Sequence, residues 1–282
     1  MLDFTRHDYQ FPVEQQPVFD QLGNPIDGSQ AVVRTDTNEV LGVHGSRYRV
    51  LSHDDVVNSV MDAVKESNLT TDYDMNVTVI EGGRKLRGEI LFNNLVVEPE
   101  VGDYVKFRVS FFNSYDGSWS FSQAADGFRL WCLNGCTTPM GTARSNFKHT
   151  QSINVEGSAK KIVEGLDTFM NNRELWQQWM QTPVNDYMAE AFFKHTIARA
   201  PSKQQLQHKA NEKQLEKLLG IWSDERKALG PNKWALYNAM TYWASHTQEL
   251  RNPEVARRNR EDSIAKAMKH NRWDQLQYEE MY

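Results

Sequence analysis

The chain has 282 residues, of which 39% are hydrophobic and 24% are charged, and its formal net charge is −5. This composition is typical of a packed globular protein, and it excludes both a wholly disordered chain and a strongly basic, chromatin-like binder. The charge is uneven: residues 1–150 contain 13 Lys and Arg against 20 Asp and Glu, whereas residues 151–282 contain 19 against 17.

The N-terminal part predicts an arm, a hairpin and a helix. Residues 1–38 contain three prolines and several turn signals, and we interpret them as an irregular N-terminal arm on the surface. Residues 39–52 have strand-forming side chains on both sides of a Gly-Ser turn, which predicts a β-hairpin. Ser52 is a favourable N-cap for a helix over about residues 53–67, where valines recur at helical spacing.

Two further hairpins and a strand are predicted next. Residues 74–97 flank a two-glycine turn, residues 103–123 flank an Asp-Gly turn, and residues 127–133 form one more strand. The first strand of the 103–123 hairpin has two alternating faces. One face carries Val105, Phe107, Val109 and Phe111, and the other carries Lys106, Arg108, Ser110 and Phe112.

Helical periodicity replaces strand alternation from about residue 155. We predict helices over residues 155–181, 184–199, 203–220 (capped by Ser202) and 231–250, followed by a charged segment. The fold class is α+β: an antiparallel sheet of β-hairpins with packed helices, followed by a helical C-terminal region. The predicted divisions are an N-terminal arm (1–38), a strand-rich core (39–154), a helical region packed on the core (155–250) and a charged helical tail (251–282).

The cysteine and histidine content predicts neither a metal site nor an enzyme. The two cysteines, Cys132 and Cys136, are typical of a reducing cytosol, and with His149 they lack the second close pair of a zinc site. Phosphate-binding loops, dinucleotide-binding glycine motifs and nucleophile elbows are missing from the sequence. We expect a cytoplasmic protein without cofactor, metal or membrane span, and enzymatic activity is the less favoured interpretation. Whether Cys132, His149 and Asn238 share a pocket stays open.

Five short segments, in order along the chain, resemble one family. They are Leu41-Gly42-Val43 with Arg47-Tyr48, Asn113–Ser118, Arg129–Gly135, His149-Thr150, and Trp234–Tyr242 with His246. In order and spacing they are similar to the phage and plasmid-like proteins grouped as domain of unknown function family 932, over about residues 40–247. The resemblance implies a phage or plasmid setting and transfers no catalytic residue. Tyr115 stands where the family usually has His in a Ser-His-Asp-Gly pattern, which argues against a metal or proton-transfer role there.

Basic residues alternate with aromatic residues on the predicted strands. Cations follow phosphates and flat rings stack on bases at about 1–3 kcal/mol each, so the pattern is typical of a surface that binds single strands. A half-exposed sheet that keeps its Lys and Arg in water gives the same pattern, and the acidity of residues 1–150 favours that interpretation for any single residue. The candidate surface consists of Arg47, Arg49, Arg87, Lys106, Arg108, Phe112, Trp119, Arg129, Arg144 and Lys148.

These patterns leave two classes of function open. The leading hypothesis is a phage- or plasmid-encoded accessory protein that binds or anneals single-stranded DNA as a homo-oligomer, by analogy with the hairpin-and-helix architecture of phage annealing proteins. The alternative is a protein-interaction module that inhibits or redirects a host or defence enzyme, which the acidity of residues 1–150 favours. A nucleic-acid enzyme would need a metal site, and chelator-sensitive activity would be its sign.

Overall fold

The computed structural model describes residues 8–100, 102–129, 134–136, 143–147, 155–199, 211–247 and 253–276. The chain divides into two units. The first unit comprises the described parts of Met1–Leu95, Phe107–Ala125 and Ala143–Asp167. The second comprises those of Val96–Lys106, Asp126–Thr142 and Thr168–Tyr282.

Three antiparallel strands form the first sheet, in the order β1-β2-β3. They are β1 (Val13–Phe19), β2 (Pro25–Arg34) and β3 (Glu39–Gly45). The irregular structure predicted over residues 1–38 was therefore wrong, because two of these strands lie within it. The hairpin predicted over residues 39–52 was also wrong, since β3 pairs with β2 and not with the residues that follow it.

Two prolines explain why the sequence pattern misleads here. Pro17 lies in β1, an edge strand of the sheet, and Pro25 is the first residue of β2. Proline is tolerated at both kinds of position, because neither requires a backbone N–H for the strand ladder. The burial of Val32 and Val33 on the central strand β2 then anchors the sheet to the core of the first unit.

Helix α1 (His53–Glu66) confirms the prediction over residues 53–67. The Ser52 hydroxyl accepts a hydrogen bond of 2.9 Å from the Asp55 backbone N–H and so caps the first turn. The two acidic residues of that turn lie at the positive end of the helix dipole. One face of the helix is buried through Val56, Val57, Val60, Ala63 and Val64.

The second sheet has the strand order β4-β5-β6-β7-β8, and β9 pairs with β7. Its strands are β4 (Tyr73–Ile80), β5 (Lys85–Glu100), β6 (Asp103–Ser114), β7 (Phe121–Arg129), β8 (Asn134–Cys136) and β9 (Ala143–Phe147). The hairpins predicted over residues 74–97 and 103–123 are confirmed as β4-β5 and β6-β7. The strand predicted over residues 127–133 is, as far as residue 129, the end of β7, and its remainder lies outside the described residues.

The β4-β5 turn shows why two glycines stand at its centre. Glu81, Gly82 and Gly83 have φ values of 54°, 68° and 96°, which places three consecutive residues in the left-handed region. Glycine adopts that region without the steric penalty that other residues meet. The turn is therefore determined locally by the sequence.

Six described helices follow the sheets. They are α2 (Val155–Gln181), α3 (Asp186–His195), α4 (Glu212–Leu229), α5 (Lys233–His246), α6 (Pro253–Met268) and α7 (Asn271–Gln275). The predicted α+β class, with antiparallel sheets and most helices C-terminal, is confirmed. None of the described helices is long and apolar enough to cross a bilayer.

The helix boundaries are set by asparagine caps. Asn185, Asn211 and Asn232 precede α3, α4 and α5, and each side-chain oxygen accepts from the backbone N–H three residues later. Of the helix predicted over residues 203–220, residues 203–210 lie outside the described residues, and the rest is α4, which begins after its Asn211 cap and continues to Leu229. Gly220 does not end it, because apolar residues on both sides of that glycine bury one face; the predicted cap Ser202 lies outside the described residues.

Tryptophans form the core of the second unit. Trp176, Trp179, Trp222 and Trp234 are buried, and the ring centroids of Trp176 and Trp234 are 5.4 Å apart. Trp179 also contacts Tyr237, at 5.2 Å between centroids. Trp176 and Trp179 of α2 thus pack on α5, in which eleven of fourteen residues are buried, so α5 is the central helix of the second unit.

Lys233, at the start of α5, is a buried cation. Its side chain donates a hydrogen bond of 2.7 Å to the Trp273 carbonyl oxygen, and its ammonium group lies 4.6 Å from the centroid of the Trp273 ring. Burial lowers the pKa of Lys233 to about 8, although the charge of Asp274 acts in the opposite direction. The folded protein therefore releases this proton more readily than the unfolded chain, in which the pKa has its ordinary value of 10.5.

Stability is expected to rise with pH where Lys233 titrates differently in the two states. Between about pH 8 and 10.5 the unfolded chain holds the proton and the folded protein does not, so the free energy of unfolding increases with pH. Lys233→Met removes this contribution, and its stability relative to wild type should fall steadily across that window. Urea unfolding at several pH values measures the difference. Lys227→Met, at an exposed position, is the control, and equal slopes for wild type and Lys233→Met would contradict the prediction.

Candidate functional site

Two segments that resemble the family motifs meet in the first unit. His44 Nε2 donates a hydrogen bond of 2.6 Å to the Tyr115 carbonyl oxygen, which requires a proton on that nitrogen. The Tyr48 hydroxyl donates to the Ser114 carbonyl oxygen at 3.0 Å. Residues 41–48 therefore hold the turn at residues 113–118, although about 70 residues separate them in sequence. We call this arrangement the motif cluster.

Gly42 makes this close approach possible. A Cβ atom at residue 42 would overlap the Tyr115 carbonyl oxygen and lie 2.9 Å from Asp116 Cα. Both of these are backbone atoms, which cannot rotate away as a side chain does. Residue 42 must therefore be glycine, because the first motif lies too close to the backbone of the second for a side chain.

The inner layer of the motif cluster is fully buried, and it is hydrogen-bonded except at the Asn113 amide oxygen, which lacks a partner among the described residues. His53, Asn113 and Tyr115 have no exposed surface, and the rings of His53 and Tyr115 stack with centroids 4.1 Å apart. The His53 backbone N–H donates to the Tyr115 hydroxyl at 2.7 Å. Burial, more than any other cause, raises the pKa of Tyr115 above its usual range, so the phenol stays protonated.

The ring of His53 has a defined tautomer. Its Nε2 donates to the Gly83 carbonyl oxygen at 3.1 Å, and its Nδ1 accepts from the Asn113 amide at 3.1 Å. A neutral imidazole with the proton on Nε2 satisfies both bonds. The same amide also donates to the Leu51 carbonyl oxygen, so the network connects the start of α1 to the end of β6.

Charged groups of the cluster neutralise one another. Lys85 is only 3% exposed, and its ammonium group lies 2.7 Å from Glu81 and 3.6 Å from Asp116. Burial raises the pKa of Asp116, but hydrogen bonds from Ser118 and Ser114 and the charge of Lys85 outweigh it, and the pKa lies below its usual value. Asp116 is therefore ionised, and Lys85 has no uncompensated charge to offer a phosphate.

Three residues of the predicted surface, Arg108, Trp119 and Arg129, are buried. Arg108 is almost fully buried, and its guanidinium lies 3.9 Å from Glu89 on the neighbouring strand β5. Trp119 is also buried and meets the half-buried Phe112 edge to face, at 5.8 Å between centroids. Glu89 therefore lies at Arg108 where a phosphate would have to bind, and Phe112 lies at Trp119 where a base would have to stack.

Arg129, the third buried residue, belongs to an ionic network in the second unit. Its Nε donates to Asp103 at 2.5 Å and its Nη1 to Glu225 at 3.4 Å. The Trp234 indole N–H donates to the other Asp103 oxygen at 3.0 Å. Since Arg129, Asp103 and Glu225 are all buried, this guanidinium has a structural role.

The remaining predicted residues divide into three groups. Arg47 and Arg49 are exposed, whereas Arg87 and Lys106 are half-buried, with Arg87 4.0 Å from Glu89. The side chains of Arg144 and Lys148 lie outside the described residues, as do Cys132 and His149. Arg47 and Arg49 flank Tyr48, so the structure brings these two predicted residues to the motif cluster.

His44 is a residue of this cluster that the predicted surface does not include. Its ring stacks on Tyr48 with centroids 3.8 Å apart and an angle of 11° between the planes, and both rings are half-buried. We call His44, Arg47, Tyr48 and Arg49 the Tyr48 patch. Its only sequence signal is an aromatic residue between two arginines, because the stack depends on the turn that brings His44 over Tyr48.

One comparison with known proteins covers both segments of the motif cluster. A family model described as a domain of unknown function (DUF932) matches residues 40–267. The chain belongs to the DUF932 family. Neither the search of curated proteins nor the search of solved structures found a match. The DUF932 match includes both segments of the motif cluster and begins after β1 and β2. Among the described residues, no three His, Cys, Asp or Glu side chains are grouped as a metal ion would need.

Proposed function

We propose that this DUF932 protein binds single-stranded DNA through the Tyr48 patch, as an accessory protein of a phage or plasmid. The observation that supports the proposal is a half-buried ring stack with an exposed arginine on each side of Tyr48. Tyr48 also packs against the core of the first unit, so a base would stack on the half-buried ring of His44, while the arginines offer cations to the neighbouring phosphates. Of the ten surface residues that the sequence predicts, the proposed binding surface keeps Arg47 and Arg49, and it adds His44 and Tyr48.

The net negative charge of residues 1–150 confines the attraction of DNA to the Tyr48 patch itself. Residues 1–150 have seven more acidic than basic side chains by count, so long-range attraction of DNA to this part is weak. Binding must then come from short-range stacking and from a small number of phosphate contacts. A low salt dependence is the signature of that mode, because each neutralised phosphate of a single strand contributes only about 0.7 to the salt slope.

Removal of both arginines is expected to weaken DNA binding and to reduce its salt dependence. For Arg47→Ala/Arg49→Ala, the slope of log K against log salt should fall by about 1.4, since two phosphate contacts are lost. Fluorescence anisotropy of labelled single- and double-stranded oligonucleotides at several salt concentrations measures both quantities. Single-strand preference in the wild type, and its loss in the variant, support the proposal.

A matched variant separates local contacts from overall charge. Lys160→Ala/Arg173→Ala removes the same two positive charges at exposed positions of α2 and is expected to keep the wild-type affinity. Tyr48→Leu tests the stack, with an expected loss of about 1–3 kcal/mol, and Tyr48→Phe keeps the ring. A wild-type protein that binds no oligonucleotide at low salt would overturn the proposal.

A protein-interaction module that inhibits or redirects a host or defence enzyme is the second candidate. The exposed apolar side chains on and beside β1 and β2 favour it, because large exposed apolar residues mark protein contacts when they are grouped. Tight binding to a purified host protein, together with no salt-sensitive affinity for DNA, would favour this candidate over the first.

A further inference from the structure

The tip of the β1-β2 hairpin extends beyond the residues of β2 that pair with β3, which end at Ser29. From residue 14 to residue 28 every side chain is exposed except the half-buried Val18. We call residues 14–28 the arm. Large apolar side chains lie at its tip: Phe19 is 55% exposed, Leu22 87% and Ile26 45%. A two-stranded ribbon of this kind is marginally stable in water by itself, so a surface that covers it would stabilise it.

The charged side chains of the arm are all acidic. Glu14, Asp20 and Asp27 are exposed, and residues 14–28 contain no Lys, Arg or His. Asp20 organises the turn by accepting from the Leu22 and Asn24 backbone N–H groups, and hydrogen bonds from Asn24 hold the pKa of Asp20 below its usual value. The arm therefore presents an apolar tip with negative charge beside it.

A groove in the second unit has the complementary character. It lies among α4, the end of α5 and α6, and has a volume of about 670 Å³, several times that of a leucine side chain. Trp243 and Ala256 give it an apolar part, and Lys213, Lys217 and Arg260 give it positive charge. None of the described residues that line it is acidic. We call it the basic groove.

Internal contacts hold the cations of the basic groove in position. Lys217 donates to the Thr247 hydroxyl at 3.0 Å, and Arg260 donates to the carbonyl oxygens of Ala244 and Thr247 at 3.0 and 2.9 Å. These carbonyl oxygens stand at the C-terminus of α5, where positive side chains are favourable. Lys217 and Arg260 are therefore already held in position in the absence of a partner.

We propose that the arm of one molecule docks in the basic groove of a second copy of this chain. Three acidic residues on the arm face three basic residues in the groove, and the apolar tip enters beside Trp243 and Ala256. The two surfaces are different, so the contact is heterologous and each molecule can give one arm and receive another. Such contacts build closed rings or open filaments.

Charge reversal with mixing tests this contact. Two variants are made, Glu14→Lys/Asp27→Lys in the arm, which leaves the turn residue Asp20 in place, and Lys213→Glu/Lys217→Glu in the groove, and their folding is checked by circular dichroism. The mass of each is measured by light scattering over a range of concentrations, in the absence of DNA. The wild type is expected to exceed the monomer mass of 32.6 kDa as concentration rises, and each variant alone is expected to remain monomeric.

A one-to-one mixture of the two variants is expected to assemble again. In the mixture every reversed arm meets a reversed groove, and every native arm meets a native groove. The controls Asp62→Lys/Asp224→Lys and Lys65→Glu/Lys227→Glu make the same charge changes at exposed positions elsewhere and should assemble like the wild type. A monomeric wild type, an arm or groove variant that keeps the wild-type mass, or a mixture that stays monomeric would overturn the proposal. The result does not depend on DNA binding, so the two proposals fail separately.

Discussion

Replacement of Arg129 by Ala is expected to lower the free energy of unfolding by about 3–5 kcal/mol, as is typical when one partner of a buried ion pair is removed. The guanidinium neutralises Asp103 and Glu225, and both carboxylates are buried. Without it, two negative charges would remain in a site that excludes water. The Trp234 indole N–H would still donate to Asp103, but a single neutral donor does not balance a buried charge.

Urea unfolding monitored by tryptophan fluorescence would measure this loss. Arg87→Ala is the matched control, because Arg87 is half-buried and lies 4.0 Å from Glu89, and such pairs contribute about 0–1 kcal/mol. If Arg129 had a binding role on the surface, its replacement would reduce ligand affinity and leave stability unchanged. Equal stability of the two variants would therefore contradict the buried network.

Replacement of Gly42 by Ala is expected to destabilise the protein by about 1–3 kcal/mol, the usual effect of an additional group in a closely packed site. The added methyl group would overlap the Tyr115 carbonyl oxygen and approach Asp116 Cα. Since these are backbone atoms, β3 and the turn at residues 113–118 must separate, which breaks the hydrogen bond from His44 to Tyr115.

Gly45→Ala on the same strand is the control for this prediction. A Cβ atom at residue 45 would have its nearest contact at 3.8 Å, an ordinary van der Waals distance, so little change in stability is expected. Thermal unfolding of both variants makes the comparison. A Gly42→Ala variant as stable as Gly45→Ala would show that the motif segments are not held in this close contact.

The His44–Tyr115 contact also connects stability to the proposed function. The Tyr48 patch depends on the stack of His44 on Tyr48, and His44 is held by the turn at residues 113–118. Gly42→Ala should therefore weaken DNA binding as well, whereas Arg47→Ala/Arg49→Ala should weaken binding with a smaller loss of stability. The two kinds of variant separate the construction of the patch from its contacts with DNA.

The candidate site was only partly predictable, because burial does not follow from alternation. On β6 the sequence places Arg108 and Phe112 on one face, and that alternation is correct. The polar face is nevertheless closed at Arg108, where Glu89 of the neighbouring strand pairs with the guanidinium. A strand pattern tells which residues share a face, and only the neighbours of that face decide whether water reaches it.

The sequence by itself determined those features that depend on residues close together in the chain. Ser52 caps α1 three residues from its donor, the glycines of residues 82–83 permit the left-handed β4-β5 turn, and helical periodicity locates most helices. The α+β class follows from these local elements. The tertiary structure decided what depends on distant residues: the pairing of β3 with β2, the meeting of His44 with Tyr115, and the burial of Arg129 against Glu225, which is 96 residues away. The physical reason is that caps and turns are satisfied within a few residues of the chain, whereas burial and ion pairing require partners that only the folded chain brings together.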